Sequence, residues 1–263
     1  MRRASGGLSP VRAGAMLALL LSAAAIYGVA NSSAFTYARL RVEGATFTAA
    51  ADVEAVLAAV RGANLFSLRT APLEAVLRDM ETVRDVAVTV RLPDMLVATL
   101  AEREAILVWR SGARRYLVDP EGYLFARTDD GAPPEAALLP VVEDRRAAAA
   151  GLSIGRSLDT IDLDAATRLG SLVPADIGSD AEGLEVYVTD EHGFVVRSPG
   201  GWTAVFGFYT SSLRTPELIP GQVRLLRSLL IGREPLVERI ILASETDGTY
   251  IPKSTPPPAS AEP

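Results

Sequence analysis

The chain has 263 residues, 49% of them hydrophobic and 22% charged, a balance that supports a buried core and argues against general disorder. A net charge of −6 is a poor match to a phosphate-tracking nucleic-acid binder. Cysteine is absent and His192 is the only histidine, which excludes disulfides, thiolate nucleophiles and Cys- or His-rich metal sites within one chain.

No charged residue occurs from Ala13 to Ala38, and the run Ala13–Ala30 is the most apolar part. It approaches the ~20 residues that cross a bilayer as a helix. Arg2, Arg3 and Arg12 precede it with no acid among them. The positive-inside rule therefore predicts a cytoplasmic tail at 1–12, a transmembrane helix at 13–36 and globular parts outside the cytoplasm. Gly28-Val29-Ala30 also fits the small-x-small pattern of a cleaved signal peptide. The uncharged run outlasts a signal-peptide core, which favours the anchor.

The first globular block, 37–104, reads β-α-α-β-β. Tyr37 to Val42 is a strand that ends in a turn at Glu43-Gly44. Val53, Val56, Leu57 and Val60 share one helical face, with Thr48 as N-cap and Gly62 as stop. Leu73, Val76, Leu77 and Met80 repeat that spacing behind Thr70. Val86, Val88 and Val90 alternate with Ala87, Thr89 and Arg91, and Leu96, Ala98 and Leu100 with Val97, Thr99 and Ala101. Both runs are half-buried strands, joined by a turn at Leu92-Pro93-Asp94. One small sheet under two helices is a sound two-layer α+β domain. Leu65 and Phe66, between the helices, are expected to plug its core.

The second block, 105–252, is a β-rich α+β domain. Strands are expected at Ile106–Trp109, Tyr116–Val118 and Tyr123–Phe125, around the turn Asp119-Pro120-Glu121-Gly122. Residues 128–138 read as a loop. Asp162 caps a helix through Val173, and strands follow at Leu184–Thr189, Phe194–Arg197 and Thr203–Phe206. A helix at Gln222–Leu230 precedes a last strand, Val237–Leu242. Residues 253–263 are rich in Pro, Ala and Ser and read as disordered.

Catalytic candidates are sparse. His192 lies in a hairpin turn, and Asp119 and Glu121 share a β-turn rather than a cleft. There is no Gly-rich phosphate loop and no HExxH. The cluster Glu102-Arg103-Glu104 reads as a solvated hinge with local ion pairs. No catalytic, cofactor or metal residue is assigned.

An ordered set of short motifs carries a resemblance. It comprises Val42-Glu43-Gly44, Gly62-Ala63-Asn64-Leu65-Phe66-Ser67-Leu68, Val83, Val86, Arg91-Leu92-Pro93-Asp94-Met95-Leu96 and Ala101-Glu102-Arg103-Glu104. Tyr116-Leu117-Val118-Asp119, Gly122-Tyr123-Leu124-Phe125, Leu139-Pro140-Val141, Gly201-Trp202 and Val205-Phe206-Gly207 continue it. Together they resemble the FtsQ/DivIB family of bacterial division proteins, and this likeness favours the anchor over the signal peptide. It implies a POTRA domain followed by an FtsQ-type β domain in a single-pass, non-enzymatic scaffold of the inner membrane and division septum. The implied partners are FtsB- and FtsL-like single-pass proteins, with septal wall synthases reached indirectly and no small-molecule substrate. In that family a C-terminal sheet edge binds FtsB by strand addition. Carried over, this makes Val237, Glu238, Arg239, Ile240, Ile241 and Leu242 an edge strand, with Tyr250 beside it. Ala243-Ser244-Glu245 departs from the arginine-containing ending of many members. Two alternatives stay open: a POTRA-bearing exported protein of outer-membrane assembly or secretion, and an exported hydrolase using carboxylates. The former usually carries repeated POTRA units or a barrel of alternating strands, and neither pattern occurs here.

Overall fold

The computed structural model describes residues 10–130 and 134–253, and the chain divides between Glu102 and Arg103 into two compact units. All of the expected tail at 253–263 except Lys253, and most of the expected cytoplasmic segment at 1–12, lie outside the described residues.

The first unit opens with α1 (Pro10–Ala30), a helix in which no residue is buried. Its length and apolar composition suffice to cross a membrane. A 3-10 turn at Ser33–Phe35 leads into a three-stranded sheet, β1 (Arg39–Glu43), β2 (Val83–Arg91) and β3 (Met95–Glu102), in the order β1-β3-β2. β1 runs parallel to β3, and β2 antiparallel. Two helices, α2 (Ala50–Leu57) and α3 (Ala71–Arg78), supply Val53, Leu57 and Leu77 to a core shared with Val86, Val88, Leu96, Ala98 and Leu100. These are the inward members of the two alternating runs, so period two alone had assigned the covered face. Gly44 ends β1 at φ +76°, and a Cβ there would collide with the Leu100 carbonyl. Only glycine fits that crossing.

Several local expectations are corrected. Thr48 is not the N-cap of α2: its Oγ1 meets Thr82 Oγ1 at 2.6 Å. The start of α2 is instead held from the end of β3. Glu102 Oε2 accepts the N–H of Thr46 (2.6 Å) and of Phe47 (2.8 Å), and Oε1 accepts that of Thr48 (2.7 Å). Glu102 is therefore no solvated hinge residue. Leu65 is buried as expected, but Phe66 is 54% exposed.

The second unit is built on a nine-stranded mixed sheet. Its strands are β4 (Leu107–Ser111), β5 (Arg114–Val118), β6 (Leu124–Arg127), β7 (Val141–Asp144), β8 (Glu185–Thr189), β9 (Gly193–Arg197), β10 (Thr203–Gly207), β11 (Val237–Leu242) and β12 (Gly248–Pro252). They lie in the order β12-β11-β10-β9-β8-β7-β4-β5-β6. The helices α4 (Thr160–Gly170) and α5 (Ile219–Leu230) pack Ala165, Leu169, Leu226 and Leu230 against Trp109, Phe194, Trp202 and Phe206. α4 is capped by Asp159, whose carboxylate accepts the Ile161 N–H at 2.8 Å. Asp162, the expected cap, instead pairs with Arg146 at 2.7 Å.

Arg103 is also structural. Its guanidinium meets Asp119 at 2.6 Å, and Asp119, almost fully buried, further accepts the N–H groups of Glu121 and Tyr123. Asp119 thereby shapes its own turn.

Candidate partner-binding site

Strand order decides where the second unit could accept another chain. β11 is not an edge: it pairs in parallel with β10 and antiparallel with β12. The expectation that Val237–Leu242 forms the free edge is therefore corrected. Within β11, Val237, Ile240 and Leu242 are buried, whereas Glu238, Arg239 and Ile241 are exposed. The outermost strand is β12, which contains Tyr250.

The backbone direction of β12 follows from its two ends. Ala243 N–H donates to Asp247 O at 2.9 Å, and Lys253 N–H donates to Leu236 O at 2.8 Å, so residues 247 and 253 point inward. Alternation along a strand then turns Gly248, Tyr250 and Pro252 outward. Proline has no N–H, so Gly248 and Tyr250 carry the outward donors. The register sets the side chains. Tyr250 stands opposite Ile240, on the face that α5 covers, and Ile251 and Thr249 stand opposite Arg239 and Ile241 on the other face. Tyr250, Ile251 and Ile241 are each more than 40% exposed. A strand laid on β12 would meet a tyrosine on one side and an isoleucine pair on the other.

The support beneath this hairpin is polar. Arg214 donates from Nη1 to Ala243 O (2.8 Å) and from Nη2 to Leu242 O (2.6 Å) and Phe206 O. Gln222, fully buried, donates to the same Phe206 and Leu242 carbonyls and accepts from Tyr209 Oη at 2.8 Å. Burial pushes the Tyr209 phenol above its ordinary pKa, against the opposing charge of Arg214. At the other end, Glu234 accepts from the Trp202 indole (2.7 Å), Ser179 Oγ (2.5 Å) and Asp180 N–H (3.1 Å). Burial raises the pKa of Glu234, but these hydrogen bonds outweigh it and hold the carboxyl below its ordinary value.

The opposite edge is different. Leu124 of β6 has its N–H donated to Arg156 O and its carbonyl taken by Gly155 N–H, both at 2.9 Å, and Tyr123 bridges to Ser157. The sequence reading missed β12 itself. Asp247-Gly248 followed by Thr-Tyr-Ile is a hairpin signal that would have found it.

Among the described residues no group of acids and histidine could hold a metal ion. His192 sits in its turn, with its N–H on Thr189 Oγ1.

An apolar helix, a β-α-α-β-β unit and a β-rich unit define a POTRA-bearing α+β protein with a possible membrane span. Residues 35–103 match the model of the POTRA domain, FtsQ-type. The chain is 26% identical over 251 residues to a protein of Chloroflexus aurantiacus named cell division protein FtsQ, covering 93% of this chain and 80% of that one. It is also similar to proteins of the same name from Rickettsia bellii (29% over 98 residues, 37% of each chain) and Caulobacter vibrioides (29% over 122 residues, 45% of this chain and 40% of that one). The first unit is thus similar to FtsQ-type POTRA domains, and most of the chain is similar to a protein named cell division protein FtsQ.

Proposed function

We propose that this protein is a membrane-anchored, non-enzymatic scaffold of the bacterial division machinery, which recruits partners by accepting a strand on β12. The helix α1 fixes it in the inner membrane with the N-terminus cytoplasmic and segments 37–104 and 105–252 outside. The partners are single-pass division proteins of the FtsB/FtsL type, and septal wall synthases are reached through them.

The observation that carries this reading is the asymmetry of the nine-stranded sheet. One edge is covered at its start by residues 155–158, and the other is left with outward Gly248 and Tyr250 beside exposed apolar side chains. Native sheets normally blunt such an edge, and strand addition draws affinity from the main chain and specificity from alternate side chains.

Tyr250→Pro is the discriminating test. It removes an outward N–H and leaves the β11 ladder intact, as proline is tolerated where the N–H faces solvent. Arg239→Pro would not serve, because β11 is paired on both sides. Binding of an FtsB-like ectodomain, measured by calorimetry, is expected to be lost in Tyr250→Pro with the thermal midpoint little changed. Undiminished binding by the folded variant would rule out strand addition at β12. A fluorescent N-terminal fusion is expected at midcell before constriction. A uniform membrane signal from an intact, functional fusion would count against the septal role.

A further inference from the structure

We infer that the loop Ala63–Arg69 of the first unit rests in the headgroup layer of the membrane, with Phe66 and Phe35 as an aromatic anchor. The proposal rests on α1 spanning that membrane.

The geometry comes from the end of α1. At ~1.5 Å per residue, the uncharged part of α1 from Ala13 to Ala30 measures about 27 Å, close to the thickness of a bilayer's hydrocarbon core. Ala30 then lies at the hydrocarbon boundary. Tyr27, one turn earlier and exposed, is the amphipathic residue type that favours this boundary. Asn64 Nδ2 donates to Ala30 O at 2.7 Å, and the backbone of Asn64 bridges Thr36. Leu65 N–H donates to Phe35 O at 2.9 Å. The inter-helix loop is thus pinned to the point where the chain leaves the bilayer. Headgroup layers are several ångströms deep on each side, so a residue two positions beyond Asn64 falls within one.

That residue is Phe66. Its ring lies 5.0 Å from that of Phe35, and it is 54% exposed although Leu65 beside it is buried. Asn64 Oδ1 accepts the Phe66 N–H at 2.9 Å and fixes its direction. Beyond its contact with Phe35, the exposed part of the Phe66 ring gains nothing from water. At a lipid interface its ring leaves water while the neighbouring backbone stays hydrated. Arg69, exposed three residues further on, places a cation at phosphate depth. The occupant is lipid rather than a protein because the loop is continuous with the membrane helix through the Asn64–Ala30 bond.

The absence of cysteine permits a direct test on the full chain. Single-cysteine variants Leu20→Cys, Ser67→Cys and Ala45→Cys would carry nitroxide labels in vesicles of phosphatidylethanolamine and phosphatidylglycerol. Accessibility to oxygen and to a water-soluble nickel complex then reports depth. Ala45 lies beyond the far end of β1 and serves as the aqueous control. The expected result is a Leu20 label in the hydrocarbon, a Ser67 label at headgroup depth and an Ala45 label in water. Adding Phe66→Asp is expected to abolish the oxygen preference at position 67 and leave that at position 20 unchanged. An aqueous Ser67 label with Leu20 in the hydrocarbon would overturn the docking. So would a Ser67 label indifferent to Phe66→Asp. An aqueous Leu20 label would instead overturn the membrane reading beneath it.

Discussion

The indole N–H of Trp202 donates to Glu234 Oε1 at 2.7 Å, which joins a fully buried ring at the start of β10 to the turn that feeds β11. Removing the acceptor strands a buried donor, which costs about 1–3 kcal/mol. Glu234→Ala is therefore expected to lower the thermal midpoint, and Glu234→Gln, which keeps an acceptor oxygen, to lower it less. The pH dependence has a definite sign. The folded carboxyl titrates below its ordinary value of 4.5, so near that pH the unfolded chain binds the proton first. The contribution of Glu234 is complete above 4.5 and is lost as pH falls through the folded value. Thermal melts of wild type and Glu234→Gln should therefore converge below pH 4.5.

Glu102 is expected to govern the first unit. Its carboxylate takes three N–H groups ahead of α2, and Glu102→Ala leaves all three without that acceptor. A loss of about 1–3 kcal/mol follows. Hydrogen exchange should show faster exchange at residues 46–57, with the amides of α5 unchanged. Equal loss of protection in both units would refute a local role.

Arg214 ties the ends of β10 and β11 through three carbonyls. Arg214→Ala is expected to cost about 2–3 kcal/mol, the upper range for charge-assisted hydrogen bonds. Arg214→Lys should recover only part, since one ammonium cannot span the arginine fork. Amide exchange at 237–251 is the readout, and calorimetry with the ectodomain should show weaker binding in proportion.

Periodicity reached only part of this. The alternating residues of β2 and β3 and the helical faces of α2 and α3 follow from local pattern, because each buries one face against its neighbours. The role of Glu102 was not legible: its partners lie more than fifty residues away in the chain, and a carboxylate in a charged run looks solvated. β7 has four residues, Val-Val-Glu-Asp, too few for an alternation to stand out. The edge was misassigned by one strand because strand order is a long-range property. The burial pattern of β11 is the same whether or not another strand lies outside it.

The one-sided sheet has a consequence for assembly. On the nine-stranded sheet, residues 155–158 cover the start of β6 through Gly122, Tyr123 and Leu124, whereas β12 is the outermost strand at the other end. Under the proposed strand addition, β12 offers one docking edge on this sheet. A fibre requires two reactive ends per molecule, and two copies meeting through β12 would each use up that edge of this sheet. On the proposed reading, the second unit would act as a chain terminator for growth of this sheet, pairing once through β12.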